Sequence, residues 1–445
     1  MPGRYDHVLA LDRRSLALFR IALGAGLLLD LAARLPDLRA FYTDDGVLPR
    51  DAWLEISDSW WWSLHLATGS IWGQALLFAV AAAAAVGLIA GMKPRLCAAV
   101  LYVHLLSLYF RNPLVADFGD WTLQAALLWA MFLPLDSPRW PTQRFEGPRR
   151  IRSVATAAFL AQLLLLYSTS AVHKVKVTGL WAYGSVLPTI LQLRATSTPA
   201  GLWLAQQPAL CAVLSTLTLV VELLGPLLLF VPWKNGPVRL VTACAFIGLH
   251  LSFRIFLRLG LFPFMSVVPW LAVLPSEFWD RKAPADDIAE DPLPRPTRVL
   301  ATAALVIVAL WAVLSASSAA RILDRFQPIA GTLGLAHVWS MFSGSKYQDG
   351  WFRAPAVLAS GARVDLLTGA PPVDGPPQDP AKPYGDRRWS AYQRQLFGPV
   401  APGLWPAWAN WLCTREKGTV VEVQIERFTD GAAQPEVMIS GKCQP

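Results

Sequence analysis

Long runs of apolar residues recur along the chain, and short polar segments separate them. A helix that crosses a membrane needs about 20 mostly apolar residues, because the hydrocarbon layer is about 30 Å thick. Strands and the one-sided helices of soluble proteins have no need of such long runs. The pattern predicts about nine transmembrane helices, at residues 15–33, 71–91, 95–111, 121–137, 153–173, 209–232, 238–257, 260–276 and 298–318.

Two further apolar segments are too short to cross a membrane. Residues 180–194 contain Pro188, and we expect a re-entrant or interfacial helix there. Residues 53–66 combine Trp and Leu with Glu, Asp and Ser, which is typical of an amphipathic helix on the membrane surface.

The composition agrees with a membrane protein. Of 445 residues, 54% are hydrophobic and only 16% are charged, and 20 are Trp, a side chain that favours the headgroup boundary. The formal net charge is +8, but the basic residues lie in short loops between the apolar runs. That arrangement orients helices in a bilayer, and we expect no nucleic-acid partner.

The basic loops predict the orientation of the chain. Arg4, Arg13 and Arg14 precede the first apolar run, and positive charge marks the cytoplasmic side. If the amino terminus is cytoplasmic, the loops on the same side are 93–95, 139–152, 234–239 and 281–298, and each contains at least two Lys or Arg residues. We therefore predict a multi-pass protein of the cell membrane with its carboxyl end outside the cytoplasm. Arg20 and Asp30 interrupt the first run, which argues against a cleaved signal peptide.

Residues 319–445 differ from the transmembrane domain, residues 1–318, that precedes them. They contain Pro-rich stretches and the strand-like sequence VVEVQIERF. We predict an all-α polytopic membrane bundle followed by a small extracytoplasmic α+β domain, flexible around 368–385. Cys413 and Cys443 both lie in this domain, where an oxidising compartment permits a disulfide, and the sequence leaves their pairing open.

Ionisable side chains within the apolar runs need a partner or a function, because an isolated charge is costly in lipid. One interpretation is structural pairing that ties helices together, for example of Arg20 or Arg254 with Glu222. The other is that the set converges on one polar cavity. The residues in question are Arg20, Asp30, His104, Glu222, His250, Arg254 and the cluster His173, Lys174 and Lys176.

Lys174 is the strongest candidate for chemistry in this set. A lysine near a helix end commonly extends to the membrane surface. Lys174 is predicted on the outer side, where basic residues are under-used, and the following VKVTGLWAYGS turns back toward the membrane. Partial loss of water favours a neutral amine, which is a usable general base.

Two more segments are predicted on the same outer side as Lys174. FRNPLVADFGDW (110–121) is either an ordinary turn or a polar binding loop, and the Phe-rich segment 250–275 either lines a pocket or faces lipid. The sequence contains no HExxH motif, zinc-type Cys/His pair, phosphate-binding Gly loop or GxSxG motif, so we expect no metal site. The candidate substrate-binding residues are Arg111, Asn112, Asp120, Trp181, Phe262 and Phe264.

The chain resembles the HTTM (horizontally transferred transmembrane) domain family, the relatives of the vitamin K-dependent γ-carboxylase. The resemblance covers about residues 10–275, and AHVWSMFSGS (336–345) is similar to the region that follows this domain. The segments that carry it are LALFRIALG (16–24), LPDLRAFYTDDGVLPR (35–50), YFRNPLVADFGD (109–120), LYSTSAVHKVKVTGLWAYGS (166–185) and HLSFRIFLRLGLFPFMSVVP (250–269).

The resemblance implies quinol chemistry. In the carboxylase, a lysine after the corresponding span is thought to deprotonate vitamin K hydroquinone; O2 then generates a strong base that removes a γ-proton from glutamate, and CO2 adds. By position, Lys174 takes the role of that lysine, with Lys176 as the less favoured alternative. His173, Arg111 and His250 are implied to orient the quinol or to stabilise an oxyanion. The reactants implied are a non-covalently bound quinol, O2 and CO2.

Three functions remain open at this point. The first is a quinol- and O2-dependent membrane enzyme that modifies a peptide or lipid from the outer side. The second is a non-catalytic binding or maturation protein that holds a lipid, quinone or peptide in the same cavity. The third, a transporter, is disfavoured because the sequence has no internal repeat. Residues 319–445 are far fewer than the matching region of the carboxylases, so the resemblance does not extend to their peptide platform. The lipid bilayer is the expected partner, and the oligomeric state is left open.

Overall fold

The protein is described by a computed structural model. The structure describes residues 6–136, 138–178, 181, 186–193, 196–280, 288–291, 293–342, 350–373, 375, 385–398, 402–415, 419–429 and 434–443.

Most of the described chain is helical. In chain order the helices are α1 (Asp6–Leu9), α2 (Arg13–Arg34), α3 (Leu38–Tyr42), α4 (Arg50–Ile56), α5 (Ile71–Ala90), α6 (Pro94–Arg111), α7 (Phe118–Ala130), α8 (Val154–Thr178), α9 (Val186–Leu191), α10 (Pro199–Ala205), α11 (Pro208–Leu224), α12 (Asn235–Phe256), α13 (Phe262–Ala272), α14 (Ser276–Trp279), α15 (Arg295–Ser315), α16 (Gln327–Thr332), α17 (Arg387–Gln395) and α18 (Leu404–Arg415). Short 3-10 helices cover Leu35–Asp37, Leu64–Ala67, Pro113–Val115, Gly225–Phe230 and Ala320–Arg325.

The strands are short and few. They are β1 (Leu11–Asp12), β2 (Arg150–Arg152), β3 (Ile288–Glu290), β4 (Gly350–Arg353), β5 (Pro355–Leu358), β6 (Arg363–Asp365), β7 (Val420–Thr429) and β8 (Glu436–Lys442).

Within the described residues, six helices are long and apolar enough to cross a membrane. The prediction of a polytopic helical bundle is confirmed at this level, and each of the six coincides with a predicted span. They are Arg13–Tyr42, Ile71–Ala90, Val154–Lys176, Pro208–Phe230, Asn235–Phe256 and Arg295–Ser315.

The other three predicted spans are not among these six helices. α7 begins at a capping box in which the Asp117 carboxylate accepts from backbone N–H groups of the first turn, and it ends at Ala130, before Pro134. α13 covers only Phe262–Ala272 and has Pro269 inside it. The third, α6, fills the predicted range 95–111. The number of nine spans stays a prediction.

The two interfacial segments differ from the expectation. Residues 53–66 do not form one helix, because α4 ends at Ile56 and the chain turns before the 3-10 helix Leu64–Ala67. The tryptophans between them pack on one ring, since Trp60, Trp61 and Trp62 all lie within 6.0 Å of Phe110. In the second segment the structure describes Trp181 and a helix at Val186–Leu191; residues 180, 182–185 and 194 are outside the described residues.

The predicted cytoplasmic segments meet at one end of the bundle, which we call the basic end. There β1, β2 and β3 form a small sheet that pairs Leu11 with Ile151. Arg95 lies 3.3 Å from Asp291, and the Arg239 guanidinium donates to backbone carbonyls that precede β1. The segments therefore share one end, as the charge pattern requires. That this end faces the cytoplasm stays a prediction.

The opposite end of the bundle, which we call the capped end, is covered by the carboxyl-terminal part of the chain. Its sheet has the order β4-β7-β5-β6, with β8 paired to β7. α18 packs against β7 and β8, and α17 packs against the 3-10 helix Pro113–Val115 of the bundle. Phe352 and Trp408 are buried in its core, with ring centroids 5.3 Å apart. Cys413 of α18 and Cys443, just after β8, form a disulfide bond. Of the segment predicted to be flexible, residues 374 and 376–384 lie outside the described residues.

Candidate functional site

Lys174 lies in the last turns of α8 and is only 1% exposed. Its ammonium group donates to Glu222 of α11 and, at 2.9 Å, to the hydroxyl of Ser170 one turn earlier. Glu222 is 5% exposed, so both members of the ion pair are buried. The ring of Trp181 lies 5.2 Å from the Lys174 nitrogen. The sequence analysis predicted a partly dehydrated Lys174, and the packing of α8 against α11 also gives it an acidic partner.

A second polar group lies beside this pair. The indole N–H of Trp270 donates to the Tyr167 oxygen at 2.9 Å, and the Tyr167 hydroxyl lies 2.7 Å from Nε2 of His250. Since the Tyr167 oxygen already accepts from Trp270, its proton is available to Nε2, which leaves Nδ1 of His250 as an N–H donor. In the part of the chain that the structure describes, this Nδ1 has no hydrogen-bond partner.

Members of both groups border one cavity of about 40 Å³. We call it the Lys174 cavity after the partner of Glu222; Glu222 lines it, and Lys174 itself lies behind Glu222 and is not part of the lining. The polar lining of the cavity comes from Glu222, Ser170, His250, Tyr167, Thr122 and Ser266, and the rest is apolar or aromatic. Sites for small organic ligands commonly measure about 300–1,000 Å³. The cavity therefore has room for a few waters or one hydroxyl-bearing edge of a ligand. The apolar and aromatic side chains around it include Phe118, Leu163, Leu166, Phe253, Phe262, Pro269, Trp339 and Met341.

A larger cavity, of about 250 Å³, lies between the bundle and α17. We call it the interface cavity. Phe262 lines both cavities, so its ring is part of the wall between them. Asp117 and Arg387, which are 3.5 Å apart, contribute charged groups to the interface cavity.

Arg388 of α17 fastens the carboxyl-terminal part to the bundle. Its guanidinium donates to Asp30 of α2 at 2.7 Å and to both oxygens of Asp120 of α7. Arg34 bridges the same two carboxylates at 2.8 and 2.6 Å and also donates to Tyr42. The four charged side chains are all buried, and their charges balance. Asp30 and Asp120 therefore serve as anchors for the capped end.

The polar loop after α6 has a structural position. Arg111 is fully buried and donates to the carbonyls of Leu48 and Thr43, and Asn112 donates to that of Phe41. Arg111 and Asn112 thus hold the chain between α3 and α4 and do not line the Lys174 cavity.

The remaining predicted residues are dispersed. Arg20 donates to the carbonyls of Leu88 and Ile89 at the end of α5 and to that of Arg139, and not to Glu222. Arg254 is exposed, and so is Phe264, at 44%. His173 is buried next to Lys174 on α8, but it does not line the Lys174 cavity.

Sequence reasoning missed several members of the site. Ser170 and Tyr167 lie four and seven residues before Lys174, which places all three on one face of a helix. This spacing is the one sequence feature that could have identified them. Trp270 and Arg388 gave no such signal. Among the described residues, no group of three or more His, Cys, Asp or Glu side chains is placed to hold a metal ion.

Comparison with protein-family models, with curated proteins and with solved structures finds no match for this chain. The resemblance to the HTTM family stays a prediction from the sequence segments that carry it.

Proposed function

We propose that the protein is a membrane-embedded enzyme that removes a proton from a hydroxyl group of an apolar, quinol-like substrate. The observation that carries this proposal is the buried Lys174–Glu222 pair at the edge of an apolar cavity. Ionisable groups within a bundle are costly, and they commonly mark a site of chemistry or transport. The resemblance to the vitamin K-dependent carboxylase family supports the same chemistry.

Each polar group has a task in this proposal. The Glu222 carboxylate lines the cavity and is the member of the pair that can accept a proton. The Lys174 ammonium holds that carboxylate in place and balances its charge. The free Nδ1–H of His250 stabilises the oxyanion that forms when the hydroxyl proton leaves. Tyr167 fixes the tautomer of His250.

The polar and aromatic side chains of the Lys174 cavity suit a quinol. The volume of the cavity has room only for the hydroxyl-bearing edge of the quinol ring. The whole quinol ring can enter if the Phe262 side chain moves toward the interface cavity, because the two cavities then become one space. A bound quinol supplies the electrons for O2, with the balance quinol + O2 → quinone epoxide + H2O. The interface cavity lies beyond Phe262 and is the place for a second substrate, a peptide or lipid; CO2 is the co-substrate if the product is a carboxylate.

The same proposal assigns the sides of the membrane. The basic end faces the cytoplasm, because Arg and Lys accumulate there, and the capped end faces the oxidising outer compartment. The Cys413–Cys443 disulfide in the capped end supports this assignment.

Oxygen uptake by the purified protein with a reduced naphthoquinone tests the enzyme proposal. Acid–base catalysis contributes about 10²–10⁴ in rate, so Lys174→Gln and Glu222→Gln should each lower turnover at least about 100-fold. Lys176→Gln is the matched control, because Lys176 is exposed and donates to the Ala316 carbonyl. Equal turnover in wild type and both site variants contradicts the proposal.

A second candidate is a non-catalytic protein that holds a lipid, quinone or peptide in the same place. The completed Lys174–Glu222 pair and the small cavity favour it, because a satisfied ion pair stabilises the bundle without chemistry. In that case quinone binding survives Lys174→Gln, while Phe262→Trp blocks it, and no oxygen uptake accompanies binding.

A further inference from the structure

Residues 320–333 follow directly after α15, and we call them the post-span segment. They contain the 3-10 helix Ala320–Arg325 and α16. Their inner face is covered by protein, since Leu323 and Ala330 are buried in one cluster with Trp311 of α15. The segment is therefore docked on the bundle and has a defined outer face.

The outer face of the post-span segment is also apolar. Four large side chains on it are 49–64% exposed, and their spacing of four, three and four residues places them on one side. A segment that is apolar on both faces normally has both faces covered. In the part of the chain that the structure describes, no protein covers this face. The side chains are Ile322, Phe326, Ile329 and Leu333.

Two features indicate lipid as the cover. The apolar face continues the exposed surface of α15, on which Val306, Leu310 and Val313 are 50–56% exposed along a helix apolar enough to cross a membrane. Charged side chains lie beside them in the same segment, since Arg321, Asp324 and Arg325 are exposed and two of the three are basic. Apolar side chains beside basic ones at the end of a span are typical of a segment that lies in the headgroup boundary.

We propose that the post-span segment lies flat in the lipid headgroup boundary and inserts these four side chains among the acyl chains. The membrane domain then extends to about residue 333 and does not end near residue 318. This inference does not depend on the proposed enzyme activity.

The position of the segment links the membrane to the candidate site. The indole N–H of Trp62 donates to the Thr332 carbonyl at 3.0 Å, and Tyr102 donates to the Leu333 carbonyl at 2.7 Å, which fixes the end of the segment. The chain then continues to Trp339 and Met341, which line the Lys174 cavity. One wall of that cavity is thus held by a segment anchored in lipid.

Spin labels test the proposal in the full-length protein in nanodiscs of phosphatidylethanolamine and phosphatidylglycerol. Single cysteines are introduced as Phe326→Cys or Ile329→Cys in a background in which the free cysteines Cys97, Cys211 and Cys244 are Ala. Collisions of the nitroxide with O2, which concentrates in lipid, and with a water-soluble nickel complex are then compared. Leu310→Cys is the lipid reference, and Ala362→Cys, in the exposed turn before β6, is the water reference.

We expect the O2-to-nickel collision ratio at both positions to be several-fold above that of Ala362→Cys and close to that of Leu310→Cys. A ratio like that of Ala362→Cys overturns the proposal, because the face is then in water. Low collision rates with both reagents also overturn it, because a second copy or another protein then covers the face. If Phe326→Cys fails to fold, Leu333→Cys reports on the same face.

Discussion

Replacing Glu222 by Gln measures how much the buried ion pair contributes to stability. The variant leaves the Lys174 ammonium 1% exposed, with the Ser170 hydroxyl and the Trp181 ring as its partners. Removing one partner of a buried pair costs about 3–5 kcal/mol. Deprotonating a lysine in water at pH 7 costs about 4.6 kcal/mol. This value limits the loss in the free energy of unfolding, because a lysine that has given up its proton leaves no buried charge. We therefore expect a loss of about 3–4.6 kcal/mol.

The reverse change should cost slightly less. Lys174→Met leaves the Glu222 carboxylate without its partner. Protonating a glutamate in water at pH 7 costs about 3.7 kcal/mol, so the largest possible loss in the free energy of unfolding is smaller than for Glu222→Gln. The double variant Lys174→Met/Glu222→Gln removes both charges and should recover most of either loss. The assay is reversible unfolding of the detergent-solubilised protein by SDS, followed by circular dichroism.

The control for this cycle is Lys176→Met on the same helix. Its side chain is exposed, and the change should stay within about 0.5 kcal/mol of wild type. If the losses of the two single variants add in the double variant, the two side chains do not interact and the reasoning is refuted.

Phe262→Ala should lower the free energy of unfolding by about 3–5 kcal/mol, because Phe262 is only 6% exposed. Phe264 is 44% exposed, so Phe264→Ala should cost under about 1 kcal/mol. Equal losses in the SDS assay would contradict the position of Phe262 in the wall between the two cavities. Arg388→Met should cost about 3–5 kcal/mol and speed limited proteolysis of the carboxyl-terminal part, and Arg363→Met, at an exposed strand, should do neither. Burial lowers the pKa of His65 from 6.5 to about 4, so this residue's contribution to stability is complete above pH 6.5 and is lost as the pH falls toward 4. The loss between pH 7 and pH 5 is about 2 kcal/mol, and His65→Asn should remove it; an acid slope unchanged by that variant is the contrary result.

Much of the fold follows from hydrophobic length. Six helices coincide with predicted spans because about 20 apolar residues in a row have few stable places outside a bilayer. The predicted span at 121–137 overran its helix because hydrophobicity continues past Ala130 while the helical conformation does not, with Pro134 close behind. A proline of this kind shifts the end of a helix, although it changes the average hydropathy of the apolar run very little.

The candidate site could be predicted only in part. Lys174 and Glu222 stood out because charges are rare in apolar runs, but the predicted partners of Glu222 were Arg20 and Arg254. Which helices touch is a property of packing, and a sequence shows only the spacing within one helix. Arg388 could not be found, because it lies 268 residues from Asp120 and an arginine in a polar region carries no sign of burial.

The central claim is that the Lys174–Glu222 pair accepts a proton from a bound aromatic hydroxyl. An absorbance difference spectrum tests it at pH 7 with a naphthol, which is protonated in neutral water and absorbs at longer wavelength when ionised. We expect wild type and Lys176→Gln to produce the naphtholate band on binding. Lys174→Gln should bind the naphthol without producing the band, because no ammonium then balances the charge of a naphtholate beside Glu222. Bound naphthol that stays protonated in wild type, or a band that persists in Lys174→Gln, would contradict the proposed role of the pair.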